Sequence, residues 1–154
     1  MIKIILVKTN KQIALARPLL EEYARSLGFH LDFQDFQTEL NNLPGDYALP
    51  DGRMLLAYSD DTLAGCVGMR KFDQGVCELK RMYVKPEFRK QGIGRQLAEA
   101  VIARARDTGY KLMRLDTLAN MTEAVNLYRS LGFKESERYR YNPIEGAKFF
   151  GLEL

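Results

Sequence analysis

Apolar and polar positions change their period several times along the chain, and each change marks an element. Residues 2–8 (Ile-Lys-Ile-Ile-Leu-Val-Lys) read as a first strand. From Asn10 the apolar positions Ile13, Ala16, Leu20, Tyr23, Ala24 and Leu27 recur at helical spacing, with Asn10 as the expected cap and Gly28 as the stop. Pro18 falls inside that stripe and is expected to kink or split the helix, because proline removes a backbone donor. A second, short helix is predicted over 33–43, with Phe33, Phe36, Leu40 and Leu43 on one side. Leu43-Pro44-Gly45 ends it.

The period then shortens. Residues 54–58, 63–69 and 76–84 read as three strands separated by Ser59-Asp60-Asp61 and Asp73-Gln74-Gly75, hairpin connections of an antiparallel meander. A long helix is predicted over 92–108, with Ile93, Leu97, Val101 and Ala105 on one face and Gly109 as its stop. Strand 111–118 follows, then a short helix capped by Thr122 and closed by Gly132, then strands 133–140 and 147–154. The order is βααβββαβαββ. A helix between the fourth and fifth strands requires those two to be parallel, whereas the meander is antiparallel. The expectation is one mixed sheet of α/β class (α+β by some schemes), about seven strands with about four helices on both faces, and pairing broken after Val84.

Length and composition narrow the function. The chain has 154 residues, which fits one domain, 1–154, able to fold without metal or disulfide. A net charge of +3 is too small to argue for nucleic-acid binding. Two cysteines, Cys66 and Cys77, and one histidine, His30, are too few for a zinc site, and no metal is expected. Both thiols fall in strands and read as core residues, and no chemistry is assigned to His30. No apolar run approaches membrane-spanning length, and no targeting signal is recognised, so no membrane partner is expected and the cytoplasm is the default location.

The chemistry concentrates in Val84-Lys85-Pro86-Glu87-Phe88-Arg89-Lys90-Gln91-Gly92-Ile93-Gly94-Arg95. A strand ends, two glycines follow, and a helix begins. The first turn of a helix offers unpaired N–H groups and partial positive charge. Glycine lets a ligand approach the backbone, and Lys85, Arg89, Lys90 and Arg95 add positive potential. The combination suits a phosphate or pyrophosphate. It is neither a GxGxxG fingerprint nor a Walker loop.

Arg89-Lys90-Gln91-Gly92-Ile93-Gly94 resembles the Arg/Gln-x-x-Gly-x-Gly/Ala signature of the GNAT family of acyl-CoA-dependent N-acetyltransferases. Upstream, Leu79-Lys80-Arg81-Met82-Tyr83-Val84-Lys85-Pro86 is similar to that family's fourth strand. Downstream, Ala124-Val125-Asn126-Leu127-Tyr128-Arg129-Ser130-Leu131-Gly132-Phe133 is similar to its fourth helix. The three runs stand in the family's order across residues 54–140.

The resemblance implies a single GNAT-like domain with acetyl-CoA as acyl donor. The coenzyme would be held by the loop residues Arg89, Lys90, Gln91, Gly92, Ile93, Gly94 and Arg95, and by the backbone of Met82, Tyr83 and Val84. A β-bulge at that strand would free backbone donors. Many members carry an asparagine seven residues before the helix tyrosine; here that position is Met121, and Asn120 is the nearest substitute for that contact. The resemblance further implies direct attack of an amine on the thioester, with Glu78 as general base, directly or through water. The amide of Met82 or Val84 would serve the oxyanion, and Tyr128 would be the general acid.

The acceptor is an amine on a small molecule, amino acid or peptide. The acidic, aromatic run Asp32, Phe33, Asp35, Phe36 and Glu39 could receive a cation, with Tyr139–Pro143 opposite. A non-catalytic acyl-CoA-binding or sensor module is the alternative, and a homodimer is compatible with the chain.

Overall fold

The computed structural model describes residues 1–28, 31 and 35–154. The strands are β1 (Ile2–Leu6), β2 (Arg53–Ser59), β3 (Thr62–Asp73), β4 (Val76–Val84), β5 (Leu112–Leu118), β6 (Lys134–Ser136) and β7 (Ala147–Glu153). The helices among the described residues are α1 (Asn10–Ser26), α2 (Phe36–Asn41), α3 (Ile93–Thr108) and α4 (Thr122–Ser130), in the order expected from the pattern. The strands form one seven-stranded sheet, β1-β2-β3-β4-β5-β7-β6, in which only β4 and β5 pair in parallel.

Both faces of the sheet are covered. On one, Leu97, Val101 and Ala105 of α3 and Val125 of α4 pack with Leu55, Val67, Met113 and Phe150. On the other, Ala16, Leu19 and Leu20 of α1 and Leu40 of α2 pack with Met54, Leu56 and Cys66. Strand β2 therefore buries both its sides, which explains its unbroken apolar run.

Parallel pairing of β4 with β5 is limited to Val76–Glu78 against Leu112–Arg114. Beyond Glu78 the two strands diverge, while β4 stays paired with β3 as far as Val84. The opening thus begins at Glu78, earlier than the break expected after Val84. A bulge accompanies it: Cys66 faces Tyr83 and Gly68 faces Lys80, so one β3 residue opposes both Arg81 and Met82. Arg81 takes φ 59°, in the left-handed region.

Several element ends differ from the pattern. Thr9, not Asn10, caps α1: its hydroxyl accepts from the Gln12 amide at 3.2 Å, and the Gln12 side chain accepts from the Thr9 amide at 3.0 Å. The helix runs through Pro18 without splitting. The expected start of the second helix at Phe33 lies outside the described residues, and α2 is seen from Phe36. The predicted strand 133–140 shortens to β6, because Tyr139 and Arg140 leave the ladder to reach Glu78.

Candidate active site

Where β4 and β5 part, a cavity opens between Lys80, Arg81 and Met82 on one wall and Asp116, Thr117 and Leu118 on the other. Tyr23 and Leu27 of α1 and Ala124 and Tyr128 of α4 close its ends. Tyr128 is 5% exposed, and its ring packs edge-on against Phe133 at 5.6 Å. Its hydroxyl has no hydrogen-bond partner among the described residues, although it is not sealed from the cavity. Burial pushes the phenol's pKa up, with the charges of Tyr23 and Asp116 adding to the effect, so the proton stays on oxygen at neutral pH.

Glu78 is fully buried and does not line this cavity. Its carboxylate accepts from Arg140 Nη1 at 2.7 Å, from the Tyr139 hydroxyl at 2.6 Å and from Arg70 Nε at 3.1 Å, with Lys80 Nζ at 3.9 Å. Burial alone would raise its pKa, but Lys80, Arg70, Arg140 and the Tyr139 hydrogen bond together hold it down at about 2. A carboxylate this acidic has little drive to take a proton from an ammonium. The general-base role expected of Glu78, directly or through a water, would have to reach the cavity past these partners.

A different carboxylate faces the cavity. Asp116, mid-strand on β5, was not singled out by the motifs. Its side chain is 4% exposed and accepts from Lys80 Nζ at 3.1 Å and Asn142 Nδ2 at 3.0 Å. A charged residue inside the run Leu-Met-Arg-Leu-Asp-Thr-Leu of an interior strand is the sequence signal that could have marked it. Burial lowers the pKa of Lys80, its partners Glu78 and Asp116 raise it, and it settles at about 8. Asn142 places part of the 139–143 run at the cavity, as expected, while Tyr139 and Arg140 turn to Glu78.

The acidic face proposed for a cationic acceptor is already partnered in part. Glu39 receives two hydrogen bonds from Arg81, both 2.9 Å, and one from the Tyr47 hydroxyl at 3.1 Å, with Arg70 at 3.6 Å. Burial opposes ionisation, but the Arg81 contacts and the charge of Arg70 hold its carboxyl below the ordinary range. Phe36 lies 5.1 Å from the Arg81 guanidinium. Asp35 borders a separate cavity with Glu39 and Arg70. His30, Asp32 and Phe33 lie outside the described residues.

A groove of about 390 Å³ adjoins the cavity and shares Tyr23, Met82, Met121 and Ala124 with it. Met82, Tyr83, Val84, Arg89 and Asn120 border it, so five of the expected coenzyme residues meet in one place. Arg89 Nε donates to the Val84 carbonyl at 2.9 Å, and its guanidinium lies over the Tyr83 ring at 5.7 Å. Asn120 and Met121 both border the groove. Lys90, Gln91 and Arg95 are exposed at the start of α3, and Arg95 bonds to the Ser130 hydroxyl. Ile93 is 1% exposed and points into the core, which leaves only its backbone for a ligand.

Gly92 sits at φ 81° at the N-cap and provides no side-chain cap, so the first amides of α3 receive no hydrogen bond from it. At Gly94 an added Cβ would meet only Leu127 at 3.7 Å and Val84 at 3.9 Å, ordinary contacts. The protein itself does not require glycine there, which fits a ligand approaching the backbone. Cys66 and Cys77 are buried, and burial pushes both thiols up to about 12, as suits core residues. Among the described residues, no helix is long and apolar enough to cross a membrane.

Residues 16–133 match the family model described as the acetyltransferase (GNAT) family. The chain is 39% identical over 155 residues to an uncharacterized N-acetyltransferase of Schizosaccharomyces pombe, covering 99% of this chain and 95% of that one. Its fold is similar to that of an acetyltransferase from Streptococcus agalactiae, with TM-score 0.80, 20% identity and coverage of 99% and 98% of the two chains. It is also similar to a PaiA N-acetyltransferase from Thermoplasma acidophilum solved in complex with coenzyme A, with TM-score 0.76, 17% identity and coverage of 100% and 99%. Matched by the family model over residues 16–133 and by the Schizosaccharomyces pombe relative over nearly its whole length, the chain belongs to the GNAT family of acetyltransferases.

Proposed function

We propose that this protein moves an acetyl group from acetyl-CoA to a primary amine by direct attack, with Tyr128 as general acid. The observation that carries the reading is the Tyr128 hydroxyl, which has no hydrogen-bond partner among the described residues and stands at the cavity that adjoins the groove along the end of β4. The amides at the start of α3 suit the pyrophosphate, and Lys90, Gln91 and Arg95 can reach anionic groups at the surface. The pantetheine arm fits along the groove beside Met82, Tyr83 and Val84.

The acceptor nitrogen attacks the thioester carbonyl, the C–S bond breaks, the sulfur takes the Tyr128 proton, and the extra proton on the new amide nitrogen leaves to water, from which the phenolate is reprotonated. Before attack, an alkyl ammonium of pKa ~10.4 must lose a proton. Asp116, directly or through a water, is the carboxylate placed to receive it, because it lines the same cavity as Tyr128. Glu78 then acts through its partners: it is bound by Arg140 and Tyr139 and lies beside Lys80, which lines the cavity.

The test is turnover of acetyl-CoA with a panel of polyamines, amino acids and peptides, read as free thiol, for wild type and Tyr128→Phe. Loss of general-acid help should slow turnover by about 10²-fold, the lower end of the usual range, since a thiolate is a fair leaving group. Coenzyme A affinity, by calorimetry, should change far less. Turnover retained within about twofold would make Tyr128 a packing residue. Coenzyme binding without turnover of any amine would favour the non-catalytic module.

A further inference from the structure

We propose that Glu39 of α2 is a positioning residue for acetyl transfer: through Arg81 it holds the β4 bulge in the shape that turns the free edge of β4 toward the thioester carbonyl. The inference rests on the acetyl-transfer reading above.

Strand alternation makes the argument. Leu79 packs into the α3 face, so by period two Arg81 would follow it into that apolar core. The extra residue of the bulge, with Arg81 at φ 59°, turns the guanidinium to the opposite face. There Glu39 meets it side-on, Oε2 accepting from Nε and Oε1 from Nη2, both at 2.9 Å. The Arg81 side chain is 1% exposed, so the charge it carries is stable only while it is paired. Phe36 and Tyr23 flank the guanidinium, and Arg70 and the Tyr47 hydroxyl hold the Glu39 carboxylate in place. The left-handed backbone at Arg81 is a conformation that residues other than glycine seldom adopt without support, and the pairing with Glu39 supplies it.

The bulge stands where β4 has lost β5 as a ladder partner, since their pairing ends at Glu78. The backbone on that edge faces the cavity with Tyr128 across from it. Relaxing the bulge would re-aim the amide donors that polarise the carbonyl while leaving the loop and helix start at Arg89–Arg95 in place. Glu39 does not border that cavity, so its effect passes through Arg81.

The test reads the carbonyl directly. Acetyl-CoA carrying a ¹³C carbonyl is bound to wild type and to Glu39→Gln, and its stretching band is recorded by isotope-edited infrared spectroscopy. The expected result is a band shifted to lower frequency in wild type than in buffer and largely restored to the buffer position in Glu39→Gln. Turnover of the best acceptor in the panel should fall about tenfold or more, with coenzyme A affinity within about threefold of wild type.

If Glu39→Gln fails to fold, Glu39→Asp, which keeps the charge and shortens the reach, replaces it; an intermediate band position is then expected, and an unshifted wild-type position overturns the assignment. A folded Glu39→Gln with lower melting temperature but wild-type band and turnover also overturns it, leaving a purely structural pair. A wild-type protein that binds acetyl-CoA without shifting the band does the same. A wild-type protein that binds no acetyl-CoA overturns the acetyl-transfer reading itself, which is a distinct outcome.

Discussion

Glu78 and Asp116 are bridged by one lysine, Lys80, yet their surroundings suit them to opposite tasks. Glu78 is sealed among two arginines, a lysine and a tyrosine hydroxyl, and Asp116 opens on the cavity that Tyr128 also borders. Asp116→Asn should therefore cost about 10²-fold or more in turnover at neutral pH, beyond any loss of stability from its Lys80 pair. Glu78→Gln should act first on stability, by about 3–5 kcal/mol, because it leaves buried cations without their anion. Steady-state kinetics and urea unfolding of both variants separate the roles. A Glu78→Gln protein of wild-type stability and collapsed turnover would return the base to Glu78.

At the scale of elements, the start of α3 and the parting of β4 from β5 cooperate. The helix begins next to Val84, which borders the groove, and the divergence makes room beside β4. Gly94 separates ligand binding from folding, because its added Cβ would make only ordinary contacts within the protein. Gly94→Ala should leave the protein as stable as before or more stable by about 0.5–1 kcal/mol. Coenzyme A should bind more weakly by about tenfold or more, ~1.4 kcal/mol, if backbone approach at this turn is required. Calorimetric titration alongside a thermal melt checks both; unchanged affinity would remove Gly94 from the site. Gly92→Asp adds negative charge at a residue with φ 81° and should weaken binding further.

For the whole molecule, the polar network on the α1–α2 face ties stability to acid. The Glu78 carboxyl has a folded pKa of about 2 against an ordinary 4.5. Its contribution is therefore fully present above about pH 4.5 and is lost as the pH falls through about 2. That shift corresponds to about 3 kcal/mol. Glu39, also held below the ordinary range, adds in the same direction. Urea midpoints measured from pH 7 down to pH 3 should fall, and the fall should be shallower in Glu78→Gln. Equal slopes in the two proteins would mean that the network does not govern acid stability.

Element order, the mixed sheet and the family resemblance are all legible in the chain itself. Each depends on short-range information: hydrophobic period, glycine at strand-to-helix turns, and residues only a few positions apart. The limits of the second helix and of the sixth strand were less legible, since the latter is cut short by side chains reaching Glu78 across the sheet. The roles of the acidic residues could not be read locally at all. Glu78, Asp116 and Glu39 acquire their characters from Arg140, Lys80 and Arg81, partners that in all three cases lie far away in sequence. Burial then decides which carboxylate is neutralised by its neighbours and which still faces the cavity, and that is a property of packing between distant segments. Local periodicity thus determined the architecture and where the glycine loop at the start of α3 stands, whereas only the tertiary structure decided which carboxylates face the cavity and which are buried away from it.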